Sequence, residues 1–306
     1  MIHRSLRLLA LLFVALGLLA VPARATHAAP PRAAITVVDD HGTTVTLAAT
    51  PHRIISLAPN VTEILYSLGL GSEVVGVSSY SDYPAAAKRL PVVYTFNGPN
   101  IEKILALKPD LLIAAAIVTP AAIAKQRSLH LPVLVTDPST VPGILKDIQL
   151  VGAATGANGA AATEVTGLQR RIDRVKTVVR HIRARPRVFY ELDPKTFNTG
   201  GKGSFVDNVI TLAGGVNIAG KINSSYLALS AETLIASNPQ YIILGDYNYG
   251  TTVASVAARP GFGSISAVKD HHVYAFNDDL ISRPGPRIVD GLERLAVLIH
   301  PGLVLR

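Results

Sequence analysis

Residues 160–185 read AAATEVTGLQRRIDRVKTVVRHIRAR. Val165, Leu168, Ile172, Val175, Val179 and Ile182 recur at three- and four-residue steps, the spacing that places them on one face of a helix. The pattern predicts an amphipathic helix that Pro186 ends. Its ~25 residues would span roughly 37 Å. On either side the rhythm is different. Aliphatic strands with turn residues at their ends, at Ile54–Leu57, Val74–Val77, Leu111–Ala114 and Val133–Thr136, alternate with helical patterns at Thr62–Leu68, Pro84–Lys88, Ile101–Leu107, Ala121–Ser128 and Val141–Ala154. After Pro186 the alternation resumes. Its strands are Val188–Tyr190, Tyr241–Leu244 and His272–Ala275, its helices Phe205–Ala213, Ala231–Ala236, Val253–Ala258 and a last one from Pro286 to Ile299. Such alternation implies parallel sheets covered by helices on both faces. The fold class expected is α/β: two Rossmann-like lobes joined by a single long helix, with a cleft between them.

The expected division of the chain follows. Arg4 and Arg7 precede an uninterrupted apolar run from Leu8 to Val21, and Pro22 and Ala23-Arg24-Ala25 follow it. The run is shorter than the ~20 residues of a membrane span. Residues 1–25 therefore read as a secretory signal peptide. Residues 26–52 form a leader and a β-hairpin, Ile35–Val38 and Thr44–Leu47, with Gly42 in its turn. The N-terminal lobe takes residues 53–159, the connecting helix 160–185 and the C-terminal lobe 186–306.

The 306 residues include 29 Lys and Arg against 21 Asp and Glu, a net charge of +8. Loss of Arg4, Arg7 and Arg24 with a signal peptide leaves +5. Between Arg170 and Arg187 stand eight basic residues and one acid, Asp173, so the remainder of the exported chain is mildly acidic. The basic balance belongs to one helix and its end, not to a distributed nucleic-acid surface. With no Cys, there is no disulfide, no thiolate metal site and no lipid on sulfur. The product is expected to be soluble, exported and without a lipidated Cys.

An internal repeat marks equivalent lobes. EKILALKPDLLI (102–113) aligns with ETLIASNPQYII (232–243) at an offset of 130. Each copy is a short helix opening on a carboxylate, then Pro, then a buried strand. Glu102 and Glu232 suit the first turn of a helix, and their pairing across the two lobes singles them out.

No catalytic template fits. The chain has no G-x-S-x-G elbow and no H-E-x-x-H. Asn198–Ser204 departs from a phosphate loop at Thr196 and reads as a Gly-rich loop after a strand. Adjacent His271 and His272 would point to opposite faces of a strand, so no metal site is expected. Aromatic and polar residues gather instead in loops: Ser78–Pro84, Tyr94–Asn100 ahead of the first repeat helix, Tyr226 ahead of the second, and Asn277–Pro284 after the last strand. Strand carboxyl ends carry ligand sites in open α/β sheets. Stacking faces with a few hydrogen-bonding groups suit a large, flat or amphiphilic small molecule.

Four stretches, RIISLAPNVTEILYSLG (53–69), VVGVSSYSDYP (74–84), NIEKILALKPDLLIA (100–114) and SRPGPRIVDGLERLAVLIHP (282–301), resemble the helical-backbone class of periplasmic binding proteins. These serve ABC importers of vitamin B12 and iron chelates, and VSSYSDYP is most similar to the cobalamin-binding members. The resemblance implies a monomeric extracytoplasmic solute-binding protein that captures cobalamin or a related corrinoid as cargo, with no resident cofactor and no enzymatic step. A ferric siderophore or haem is the alternative within the class, and a secreted α/β enzyme the alternative outside it. It implies ligand contacts from Tyr80, Phe96, Tyr226, Asp279 and Arg283. Asp82 is a further candidate, with fixing its own loop as the alternative role. It implies docking of Glu102 and Glu232 onto arginines of the permease. The chain departs from the family in lacking every corrinoid-packing tryptophan. One such position is Ala115, and a family phenylalanine falls on Leu192.

Overall fold

A computed structural model describes residues 34–305. The expected signal peptide and most of the leader lie outside the described residues. The chain opens with a hairpin, β1 (Ile35–Val38) and β2 (Thr44–Leu47), paired Ile35 to Leu47. Its turn closes on Gly42 at φ +73° and on the Asp39 carboxylate, which accepts from the amides of His41 and Thr43.

The first lobe contains β3 (Ile54–Ser56), α1 (Pro59–Ser67), β4 (Val74–Ser78), β5 (Val92–Thr95), β6 (Gly98–Pro99), α2 (Ile101–Ala106), β7 (Leu111–Ala115), α3 (Pro120–Ser128), β8 (Val133–Thr136) and α4 (Val141–Thr155). The sheet order is β6-β5-β4-β3-β7-β8, parallel except for β6. α1 begins at Pro59, three residues before the apolar periodicity, because a proline at a first helical position forfeits no hydrogen bond. α5 (Asn158–Arg180) follows α4 after a left-handed Gly156. The second lobe contains β9 (Arg187–Glu191), β10 (Asn198–Gly200), α6 (Phe205–Leu212), β11 (Val216–Asn217), β12 (Tyr226–Ala228), α7 (Ala231–Ser237), β13 (Tyr241–Leu244), α8 (Val253–Ala257), α9 (Ser266–Lys269), β14 (Val273–Ala275), α10 (Asp279–Ser282) and α11 (Ile288–Ile299). Its parallel sheet runs β11-β9-β13-β14. This is the same order and sense as β4-β3-β7-β8, so the internal repeat extends to the topology.

Three local expectations change. The long helix stops at Arg180, not Arg185. The amides of His181 and Ile182 bond back three residues, which tightens the last turn, and Arg185 donates to the Val179 carbonyl at 3.0 Å. That leaves ~34 Å of helix. The Gly-rich stretch after β9 starts as a strand, with Asn198 opposite Ala228 and Gly200 opposite Tyr226, before Ser204 caps α6. His271 is a left-handed turn residue, not a strand neighbour of His272, and the His272 ring stacks on Tyr241 at 4.6 Å.

Side chains alternate across each sheet. Ile54, Leu111, Ile113, Val188, Tyr190 and Ile243 join one core that runs through Leu168, Ile172, Val175 and Val179 of α5 and into α11. Ile55, Leu112 and Ala114 face a separate core in the first lobe. Phe189, Ile242 and Leu244 do the same in the second. At the corner between α4 and α5 a Cβ on Gly152 would overlap that of Ala161, so the two helices meet at backbone distance.

Two polar features reinforce this frame. Glu63, on α1 and 2% exposed, holds Arg287 in a two-pronged pair with contacts of 2.5 and 2.8 Å, clasping one lobe to the other. The Arg287 guanidinium also lies 4.0 Å over the Tyr83 ring. Arg171 of α5 grips Asp290 at 2.6 Å and Glu293 at 2.5 Å. On the far side, Asp147 of α4 is 2% exposed, with Oδ2 unpartnered. Burial, then the neighbouring Asp40 and Asp137 carboxylates, pushes its carboxyl from 3.8 up to about 9. His41 pairs with Asp137 at 3.1 Å beside this group.

Two measurements follow. Breaking a buried pair from one side costs about 3–5 kcal/mol. Glu63→Ala should lower unfolding free energy in urea by that order, and Glu63→Met with Arg287→Met should recover most of it; a double variant as unstable as Glu63→Ala would deny the pair its role. The raised Asp147 value stabilises the fold at low pH, and this contribution is lost as pH rises from about 4 to about 9. Asp147→Asn should therefore show a smaller fall in Tm between pH 5 and pH 9 than the wild type. Parallel curves would remove Asp147 as the cause.

Candidate functional site

The carboxyl end of the first sheet carries a small apolar hollow. A chain of buried hydroxyls, Ser56 to Thr62 at 2.8 Å, Thr62 to Ser81 at 2.8 Å and Ser81 to Ser78 at 2.9 Å, ties the loop after β4 to β3 and α1. The Ser79 amide bonds the Tyr94 carbonyl, fixing that loop to β5. Tyr80 is thereby held beside Phe96, which sits in the turn between β5 and β6. Tyr80, Tyr94, Phe96 and Ile117, with Ser78, Ser79, Thr95 and Thr119, line a hollow of about 390 Å³. Tyr80 is 59% exposed, Phe96 92% and Ile117 60%. Large apolar groups left open on preformed loops at the end of a parallel sheet form a candidate binding surface, since burying them against a ligand is favourable.

The second lobe presents Tyr226, half exposed at the start of β12. Burial, then the Asp278 carboxylate, raises its phenol above the usual range. Asp278 accepts from the Tyr190 hydroxyl at 2.9 Å and from Ser282 at 2.7 Å, and burial keeps its own carboxyl raised. Below lies a second carboxylate group. Glu191, fully buried, is clamped by Arg259 at 2.5 and 2.7 Å. Asp246, 1% exposed, accepts from Thr251 at 2.9 Å; burial, then Glu191, pushes it up to about 7.

The lobes meet between these surfaces. Arg283 bonds Asp82 of the first lobe at 2.5 Å and Asp279 of its own at 2.9 Å, and is 13% exposed. Burial works to raise the Asp82 carboxyl, but Arg283 brings it below its ordinary value. Asn60 donates to the Pro284 carbonyl at 3.4 Å, and Glu63 and Arg287 close the seam behind.

The geometry places the expected site residues as follows. Tyr80 and Phe96 share one hollow, and Tyr226 stands on the other lobe. Asp279 and Arg283 are joined to each other and to Asp82, forming a bridge between lobes. Asp82 does more than fix its own loop. Glu102 and Glu232 line neither surface. Both are exposed in the first turns of α2 and α7, capped by Asn100 and Ser230. The Glu232 carboxyl is lowered by its own backbone amide and by Ser230.

Sequence reading missed Ile117, because a single aliphatic residue in a turn carries no signal. It treated Tyr94 as loop; Tyr94 is in β5, a strand whose apolar run is only four residues long. The Glu63–Arg287 clasp joins residues 224 positions apart, which no local pattern reveals. A further hollow of about 320 Å³ lies between α1, α5 and α11; Glu63, Arg171, Arg287 and Asp290 in its lining are paired, and Glu164 stands beside them. Among the described residues no group of three His, Asp or Glu side chains is arranged to hold a metal ion.

Known proteins are similar to this chain in sequence and in fold. An uncharacterized ABC transporter substrate-binding lipoprotein of Bacillus subtilis, YvrC, is 32% identical over 277 residues, covering 87% of this chain and 86% of the relative. The crystal structure of the periplasmic vitamin B12-binding protein BtuF of Vibrio cholerae superposes with a TM-score of 0.72 at 33% identity, covering 82% of this chain and 97% of that one. The periplasmic haem-binding protein RhuT of Roseiflexus superposes with a TM-score of 0.73 at 27% identity, covering 81% and 97%. The family model described as periplasmic binding protein matches residues 54–280, and the chain belongs to that family.

Proposed function

We propose that this periplasmic binding protein is the capture component of an ABC importer and that its cargo is cobalamin or a related corrinoid. The observation that carries the reading is the pair of preformed surfaces, a neutral aromatic hollow on one lobe and Tyr226 on the other, across a seam of fixed ion pairs. Tyr80 and Phe96 would pack one face of the ligand and Tyr226 the other. Asp279 and Arg283 would meet its polar periphery while staying bonded to each other. No bond is made or broken. The Vibrio relative named for vitamin B12, one third identical over nearly its whole length, supports the choice of cargo. Haem is the second reading. The exposed Tyr80 phenol favours it, since tyrosinate is an iron ligand in some haem proteins.

Residues 1–25 act in this reading as a removable signal peptide. Residues 26–52, 53–159, 160–185 and 186–306 are the leader with hairpin, first lobe, connecting helix and second lobe. The protein works as a monomer. The Bacillus relative is a lipoprotein, whereas this sequence has no cysteine to carry a lipid. Glu102 and Glu232, one at the same place on each lobe, dock onto basic residues of the permease.

Cyanocobalamin, hemin and ferric chelates should be added separately while Tm and the visible spectrum are recorded. Binding stabilises by about 2.7 kcal/mol at a hundredfold excess over Kd. A Tm rise with cyanocobalamin and none with the others is expected; a rise with hemin alone would make haem the cargo. Glu102→Lys with Glu232→Lys should abolish uptake in cells and leave the solution Kd within twofold. Equal loss of affinity would reassign the two glutamates to the ligand site.

A further inference from the structure

The repeat reaches beyond the helix–Pro–strand unit into the caps and turns around it. At the offset of 130, Asn100 and Ser230 each cap a helix by accepting from the amide three residues on, at 2.9 and 3.1 Å. Lys108 and Asn238 share a left-handed backbone, φ 45° and 43°. Asp110 and Gln240 each accept a backbone amide, from Arg53 and Arg187, at 2.9 and 3.1 Å. Each of those arginines also reaches the closing carbonyl of the preceding helix, Leu107 and Asn238, at 2.7 Å. Phe96 and Tyr226 stand at the same offset ahead of the helices. Three residues past Ala114 and Leu244, in the turns after β7 and β13, it pairs Ile117 with Tyr247.

Ile117 lines the first-lobe hollow beside Phe96. We propose that Tyr247 is its counterpart on the second lobe and forms with Tyr226 an aromatic platform facing the hollow, so that a planar conjugated macrocycle is held between the two. This rests on the cargo reading above. The chain keeps an aliphatic group at the first-lobe position and a ring at the second. Tyr247 is 48% exposed although it follows a fully buried strand. Its turn is fixed. The preceding Asp246 is buried and bonded to Thr251 at 2.9 Å, and the Gly250 amide closes on the Tyr247 carbonyl at 3.2 Å. A side chain at Gly245 would strike the Tyr190 ring, 2.5 Å from Cε1, so the turn lies directly on the core. A ring presented on a turn this constrained loses little freedom on binding. Together with Tyr80, Phe96 and Tyr226 it gives aromatic surface on both lobes of a chain that has no tryptophan.

The test titrates the whole exported protein with cyanocobalamin and with hemin, and takes as probe whichever binds the wild type. Tyr247→Ala should weaken probe binding about tenfold, the equivalent of ~1.4 kcal/mol, with the Tm of the free protein unchanged. Tyr247→Phe should stay within twofold. Val216→Ala, on an exposed edge strand, should change nothing. Wild-type affinity in Tyr247→Ala overturns the platform while leaving the cargo reading intact. A wild type that binds neither macrocycle overturns both.

Discussion

One apolar face of α5 governs the molecule. Leu168, Ile172, Val175 and Val179 belong to the same core as one side of each sheet, so neither lobe has an independent interior on that side. Shifting one lobe against the other would open that interior, and cores packed at crystal density resist such voids. The corner where Gly152 meets Ala161 and the Arg171 contacts to Asp290 and Glu293 hold α5 to its neighbours on both sides. The Glu63–Arg287 clasp and the Asp82–Arg283–Asp279 bridge then fix the lobes across the seam. The result is a pair of lobes whose relative placement is set by packing and by ion pairs.

The two lobes are variants of one four-stranded unit, and the variation lies at the carboxyl ends of the strands. The first lobe adds β5 and β6 and places Phe96 in their turn. The second adds the β10–β12 ribbon and places Tyr226 on it. Shared residues keep the frame: the capping Asn100 and Ser230, the left-handed Lys108 and Asn238, the Arg53 and Arg187 side chains that satisfy helix carbonyls. The divergent residues meet solvent. Charge follows the same division, with the exposed Arg170, Arg174 and Arg180 on the solvent side of α5 and neutral aromatic groups around the first-lobe hollow.

Much of this was legible along the chain. Strand positions were readable because an aliphatic run covered on both faces has few other uses, and Tyr241–Leu244 and Val133–Thr136 fall where the run does. The long helix was readable from its apolar stripe, although its end was not. Pro186 marks where a helix cannot continue, whereas the helix stopped at Arg180 because Arg185 turned back to cap it. Short elements escaped for the same reason as Ile117: two to four residues give no periodicity.

The sequence by itself determined the α/β class, the repeat, the connecting helix and the residue types of the candidate site, because these depend on local spacing and on side-chain chemistry. Tertiary structure alone decided how those residues are used. Arg283 reads as a free anchor in sequence, yet one of its guanidinium nitrogens bonds Asp82, 201 residues away. Glu63 reads as one helix residue among others, yet it clasps Arg287. Buried charges must find partners in space, and the partner is set by which chain segments the shared core brings together.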